Sequence, residues 1–264
     1  MDQVQGQNTQ KPFFTIVILV TDFEHLLSLT MDSILAQTCK DYEIVLVEAK
    51  AFSKIEHILQ SYPEVSIDLH VEDEMNQSIL MNRGLSYAKG EYVHYLYCGD
   101  VYLSQQSLAY VKEMSSQYQS PDLLYCGYII REKEELPSAV IKPLSFEMLR
   151  KGEIPTAPQC CWYSKKALEA QKGFSEKYFY RPVLYLFCNL IKQNSKIVFL
   201  PRILVDYITY RRQVRVNLLY MSETFSIVFK HFGIWRALSW WFVQDHIRTL
   251  KIAFRVLRKA FWGT

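Results

Sequence analysis

Apolar positions in this chain come either in short unbroken runs or on a three- and four-residue beat, and the two kinds alternate. Phe13–Val20 is apolar on both faces and β-branched, which predicts a strand buried inside a parallel sheet. Thr21-Asp22 follows as a helix N-cap. Leu26, Leu27, Met31, Ile34 and Leu35 then recur at helical spacing, predicting a helix packed on that sheet. Glu43–Glu48 is a second buried strand that ends on an acid. Strand, helix, strand in this order is a βαβ unit, whose crossover is almost always right-handed. The same reading predicts helices over Ser53–Ser61, Gln77–Ala88 and Leu103–Ser116, and strands over Ser66–Val71, Tyr92–Tyr97 and Asp122–Ile130. Arg131–Leu136 is a charged hairpin tip or loop.

Residues 13–130 therefore read as one doubly wound, nucleotide-binding half. Residues 131–212 are less regular, broken by Pro137, Pro143, Pro155 and Pro158. A helical turn is expected at Lys165–Ala170 with Gly173 as its stop, a helix at Val183–Ile191 and a strand at Ile197–Leu200. From Asn217 to Phe261 the pattern is helical, so 213–264 forms a basic helical appendage. Residues 1–12, polar and Gln-rich at the start, are expected to be a flexible tail with no secretory signal.

Composition narrows the class without naming it. In 264 residues, half hydrophobic and 14% aromatic, one large domain with an appendage can bury a core, and global disorder is excluded. A net charge of +3 gives no ground for nucleic-acid binding. None of the six cysteines forms a CxxC pair, so a zinc knuckle is not expected, and free thiols in a reducing cytoplasm are. Cys160-Cys161 has no histidine convincingly beside it, which favours core packing over thiol catalysis. His94, mid-strand, reads as a satisfied core histidine.

Polar residues stand at three strand ends: Thr21-Asp22, Glu48 and Asp100. In a parallel sheet such ends converge on one edge, where ligands bind. Asp100, with Gly99 beside it to let a ligand approach the backbone, suits a cation and phosphate anchor. The plain alternative is that loops after strands are solvated anyway.

The stretch Leu80–Ser104 resembles the core of the family 2 glycosyltransferases, with its Asn-x-Gly helix (Asn82-Arg83-Gly84), its Ala-Lys-Gly-Glu-Tyr turn and a strand running into Gly99-Asp100. Asp32–Glu48 is similar to that family's first helix, Gln-Thr turn and second strand. Pro158–Leu168 and Gly173-Phe174-Ser175-Glu176 are similar to its acceptor-side segment. The likeness runs from about Phe14 to Tyr210. It implies a GT-A-like, doubly wound, mostly parallel sheet flanked by helices. It implies inverting transfer of a hexose from a nucleotide-diphosphate sugar to a saccharide or lipid-linked acceptor, in cell-envelope or surface polysaccharide synthesis. Thr21, Asp22 and Glu48 would hold the nucleoside, and Asn82 and Arg83 would line the donor sugar or phosphate. Asp100 would bind Mn or Mg bridging the diphosphate, and Gln159 would lie on the acceptor side.

The departures are as informative. Relatives carry an acidic motif that supplies the general base where this chain has Tyr180–Phe187, and the aligned positions are Val183 and Tyr185. Valine accepts no proton and a neutral tyrosine is a poor base. Glu48 replaces the usual Asp, Lys50 adds a cation beside it, Ile79 replaces an Asp, and the metal motif keeps only its last acid. Two readings follow: an active transferase whose base has moved, with Glu176, Asp206 and Glu147 as candidates, or a catalytically inactive binding or scaffold protein on the same fold. Arg211 or Arg212 would neutralise the leaving diphosphate, or else the loop is merely solvated. The basic, aromatic tail, with Leu250, Phe254, Leu257 and Phe261 on one helical face, fits either peripheral contact with the inner face of the membrane or packing on the domain.

Overall fold

The computed structural model describes residues 11–21, 23–49, 55–130, 138–207 and 216–242. The predicted elements at Asp22, Lys50, Ser53, the 131–136 loop, Arg211, Arg212 and the tail beyond 242 lie outside the described residues. Four parallel strands form one end of the sheet: β1 (Phe14–Val20), β2 (Tyr42–Ala49), β3 (Ile67–Glu72) and β4 (Tyr92–Tyr97), in the order β3-β2-β1-β4. The sheet continues through β8 (Cys161–Ser164), antiparallel to β4, and then β6 (Leu123–Ile130). β7 (Ser138–Val140) and β9 (Ile197–Ile203) both pair with β6, the latter in parallel. A short separate ladder joins β5 (Val101–Tyr102) to β10 (Val205–Asp206).

Helices cover both faces, which is why β1 reads as continuously apolar. Its Phe14, Ile16, Ile18 and Val20 face one core with α1 (Leu27–Leu35) and α4 (Ser107–Gln117). Val17 and Leu19 face a second core with α3 (Gln77–Tyr87) and α7 (Pro182–Lys192). α5 (Phe146–Arg150), α6 (Lys165–Ala170) and α8 (Val216–Phe232) add Leu149, Leu168 and Ile227 to that second core. Gly84 in α3 lies so close to β1 that a Cβ there would stand 2.4 Å from Val17 Cγ1, so helix and strand meet at a distance only glycine permits. α2 (Glu56–Leu59) and α9 (Ile234–Trp240) complete the set.

The sequence reading finds β1 to β4, β6, β9 and the long helices within a few residues. It misses β5, β7, β8 and β10, of two to four residues each. Elements this short show too few positions for a period to register, and their pairing is set by the sheet they join. β8 was read only as part of an acceptor segment; it bridges β4 and β6 and makes the sheet mixed.

Candidate active site

The order β3-β2-β1-β4 reverses direction between β1 and β4, and that reversal opens a crevice at the strands' carboxyl ends. A cavity of about 500 Å³ occupies it. Thr21 enters from the end of β1, Tyr97, Cys98 and Asp100 from the end of β4, and Gln159 from the 3-10 turn before β8.

Asp100 is built into a tight turn. Gly99 adopts φ +94°, a left-handed conformation that glycine enters without Cβ strain. The Gly99 N–H donates to Thr30 Oγ1 at 2.8 Å, while Thr30 Oγ1 donates to the Tyr97 carbonyl at 3.2 Å. Asp100 is 1% exposed, and its Oδ2 accepts from the Tyr97 N–H at 2.8 Å. Asp100 is the only carboxylate lining the cavity among the described residues, and Arg181 is the only cation.

Glu48, the last residue but one of β2, is in register with Val20, next to the β1 end that carries Thr21, but does not line the cavity. It is 3% exposed, and its Oε1 meets no hydrogen-bond donor among the described residues. Burial raises its carboxyl above the usual range, and Glu56 adds to the rise.

Asn82 and Arg83 turn elsewhere. The Asn82 amide donates to the Phe174 carbonyl at 2.9 Å and to Glu176 at 3.2 Å, and its oxygen accepts from the Phe174 N–H at 2.7 Å. It thereby clasps the Gly173-Phe174 turn to α3. Arg83 Nε lies 3.4 Å from Glu72 on the surface. Neither lines the cavity. Of the three carboxylates considered as bases, Glu176 takes Asn82's amide, Glu147 pairs with Arg150 at 3.2 Å, and Asp206 sits in β10 opposite Val101; none lines the cavity.

Gln159 is positioned through its backbone. Its carbonyl can only accept, so His94 Nε2, at 2.7 Å, carries the proton, and Nδ1 accepts from Tyr102 Oη at 2.6 Å. His94 is fully buried and stacked on Trp162 with ring centroids 4.4 Å apart. Burial lowers its pKa to about 4, so it stays neutral. One imidazole thus ties the strand after Asp100 to the turn that carries Gln159.

Of the remaining walls only Val183, in the Tyr180–Phe187 stretch, was singled out from sequence, as the position aligned to the family's base. Phe23, Tyr97, Tyr128, Tyr180, Tyr207 and Tyr220 make the cleft strongly aromatic, and Val183 and Leu184 of α7 face it. Tyr220 comes from α8, distant in sequence, and no local pattern distinguishes it from a packing tyrosine. α8 is fastened by Glu223, whose carboxylate accepts the backbone N–H groups of Phe179, Tyr180 and Arg181 at 2.8–3.0 Å.

Among the described residues, no three His, Cys, Asp or Glu side chains gather into a metal-binding group. Asp100 supplies one carboxylate, which fits a divalent cation only if the other oxygens arrive with a diphosphate and water.

No protein-family profile matches the chain. Among solved structures, TarS of S. aureus superimposes with a TM-score of 0.64 over 83% of this chain and 66% of that one, at 13% identity; one of its structures holds UDP-GlcNAc. A mannosyltransferase of Pyrobaculum calidifontis, solved with GDP-Man and Mn²⁺, matches with a TM-score of 0.61 over 97% of this chain and 82% of that one, at 12% identity. The fold is therefore GT-A-like. Among curated sequences, an uncharacterized glycosyltransferase of Rickettsia typhi is 29% identical over 52% of this chain and 43% of its own length. A PGL/p-HBAD biosynthesis glycosyltransferase of Mycobacterium bovis is 29% identical over 46% of this chain and 48% of its own. EpsJ of Bacillus subtilis, an uncharacterized glycosyltransferase, is 25% identical over 68% of this chain and 51% of its own. The chain thus spans about half the length of the curated relatives it matches. Together these relatives and the fold support a family 2-like glycosyltransferase assignment.

Proposed function

We propose that this chain binds a nucleotide-diphosphate sugar at the β1–β4 crevice and transfers the sugar to an acceptor in the aromatic half of the same cleft. The observation that carries the proposal is the meeting of Thr21, Asp100 and Gln159, from three separate elements, on one cavity at the sheet's switch point. Support comes from the glycosyltransferase names of the relatives and from the nucleotide sugars bound by the two structural neighbours.

In this reading Thr21 and Asp22 contact the nucleoside, and Glu48, behind them near the end of β2, is the third residue of that side. Asp100 faces the diphosphate. A divalent cation held there would offset the charge that develops on the leaving group. Gln159 orients the acceptor, and the tyrosines stack on sugar faces. Asn82 acts one step removed, by fixing the Gly173-Phe174 turn, and Arg83 stays at the rim. The reading extends to a hexose donor, inversion, a saccharide or lipid-linked acceptor and a role in envelope synthesis. It also extends to a cytoplasmic chain touching the inner membrane face. Exposed Leu218 on α8, Trp235 on α9 and Phe242 just beyond α9 suit such peripheral contact. No helix among the described residues is long and apolar enough to cross a membrane.

A second reading, a binding protein without turnover, is favoured by Val183 standing where relatives carry their base. The two separate on one assay. With UDP- and GDP-sugars, nucleoside diphosphate release above that of Asp100→Ala supports transfer. Binding without release by either protein, across an acceptor panel, supports the scaffold.

A further inference from the structure

The two ends of the sheet are finished differently. At one end β7 has only three residues, too few to present much of an edge. At the other end β3 runs six residues in unbroken parallel register with β2, without proline, lysine or bulge. Its outer side has no strand partner among the described residues. Alternate residues of a parallel strand turn their N–H and C=O groups away from the neighbour they pair with, so that side presents a row of unmet donors and acceptors.

The two faces of β3 carry different chemistry. Ile67, Leu69 and Val71 alternate on one face; Ile67 joins the core under α1 and α2, while Leu69 and Val71 are 38% and 55% exposed. Asp68, His70 and Glu72 take the face toward α3. There the His70 ring stacks on Tyr87 with centroids 3.4 Å apart, and Glu72 accepts from Tyr87 Oη at 2.9 Å. His70 Nε2 lies 3.0 Å from Asp68 Oδ1 but out of hydrogen-bond alignment, and it has no other partner among the described residues.

The order of charges along this edge selects its occupant. An antiparallel copy related by a two-fold axis keeps like faces together only when the axis passes through a residue position. An axis at Asp68 sets two Asp68 carboxylates against each other. An axis at His70 sets Asp68 against Glu72 twice, and one at Val71 sets Asp68 against Glu74 and Leu69 against Asp73. An axis at Leu69 does the opposite: Leu69 meets Leu69, Ile67 meets Val71 twice, and Asp68 meets His70 twice. Apolar and acid–base pairs across strands stabilise, and like charges directly opposite destabilise.

We infer that the occupant is a second copy of this chain, and that two β3 strands pair antiparallel about Leu69 to join both sheets into one. Alternate residue pairs exchange backbone hydrogen bonds across the join, and each His70 gains Asp68 of the second copy. The β1–β4 crevice lies two strands inward from β3, so both clefts stay open, at opposite ends of the joined sheet. One strand pair is a small interface, which places this dimer among weak associations.

Sedimentation of the full chain from about 5 to about 300 µM, the range of a weak interface, reads the association. Cysteine cross-linking reads the register. In Leu69→Cys the two Cβ atoms stand about 5 Å apart, within disulfide reach, so mild oxidation is expected to link the chains in pairs. In Val71→Cys the two thiols are offset by four residues, about 13 Å along the ladder, and linking is expected to be at least about ten-fold slower. The wild-type chain under the same oxidant is the control for its own six cysteines. His70→Asp sets acid against acid and is expected to raise the concentration for half-association at least about ten-fold. His70→Lys keeps opposite charges together and is expected to leave that concentration unchanged or lower it. Both variants lose the same stack on Tyr87, so a purely structural role for His70 would move them together. Melting curves of dilute protein control for folding. A chain that stays monomeric to the highest concentration overturns the inference. So does equal weakening by the two His70 variants, and so does a dimer in which Leu69→Cys links no faster than Val71→Cys, since another surface then holds it.

Discussion

Glu48 is the residue at which stability and function pull apart. A carboxylate 3% exposed, with one oxygen unmet by described residues, is costly to keep charged. Glu48→Gln removes that cost and is expected to raise the melting temperature by about 2 °C, for a gain near 1 kcal/mol. Nucleotide affinity should fall in the same variant, because an amide is a weaker acceptor for an N–H of the base. A lower melting temperature would show that Glu48 has a stabilising partner instead. Val183 is the converse case. It faces the cleft at the position where the family resemblance implies an acid, so under the proposed function Val183→Asp is expected to raise transfer to a hydroxyl acceptor. The cost in stability should be about 2 kcal/mol, from a charge placed in an apolar wall. Product analysis with an alkyl glycoside acceptor checks it, and an unchanged acceptor profile would mean that the base is not what limits hydroxyl transfer.

At the scale of elements, the cleft depends on three clasps that join distant segments. Asn82 ties α3 to the Gly173-Phe174 turn, Glu223 ties α8 to the start of α7, and His94 ties β4 to both Tyr102 and the Gln159 turn. Glu223→Ala leaves three backbone N–H groups without their carboxylate, which should cost about 1–2 kcal/mol and lower the melting temperature by about 4 °C. An unchanged melting curve would show that α8 is held by its apolar face alone. His94 makes stability depend on pH. Its pKa falls from an ordinary 6.5 to about 4 on folding, so the unfolded chain binds the extra proton between those values. The contribution is therefore complete above pH 6.5 and is lost as the pH falls toward 4, by about 3 kcal/mol. Chemical denaturation at a series of pH values reads this, and a His94→Asn variant should show a flatter profile, though a lower stability throughout. These clasps also mark where sequence reasoning stops. Asn82 and His94 were singled out as residues, but their partners lie 65 to 94 positions away or in elements too short to carry a period. The long strands and helices were legible because continuous apolar runs and helical spacing record burial on one or two faces. β5, β8 and β10 were not, because pairing partners rather than their own composition make them strands.

Over the whole molecule, the sheet order β3-β2-β1-β4 does most of the positioning, since it decides where the crevice opens. The ends of β1, β2 and β4 carry the residues that the strand pattern itself picks out: Thr21, Glu48 and Asp100. The acceptor half was less legible. Arg181, Tyr180 and Tyr220 reach the cleft only because α7 and α8 pack together on the second core, and no spacing in the sequence announces that. Under the proposed function the cleft has a donor side at the ends of β1 and β4 and an acceptor side at α7 and α8, on which no described residue lining the cavity is a carboxylate. The central claim is that the donor side works. The most direct test is calorimetric titration of UDP, GDP and their sugars, with and without manganese, into the wild-type chain and Asp100→Ala. Saturable binding of one nucleotide class that strengthens with manganese and disappears in Asp100→Ala is the predicted result. The same binding in both proteins, or none in either, would contradict it.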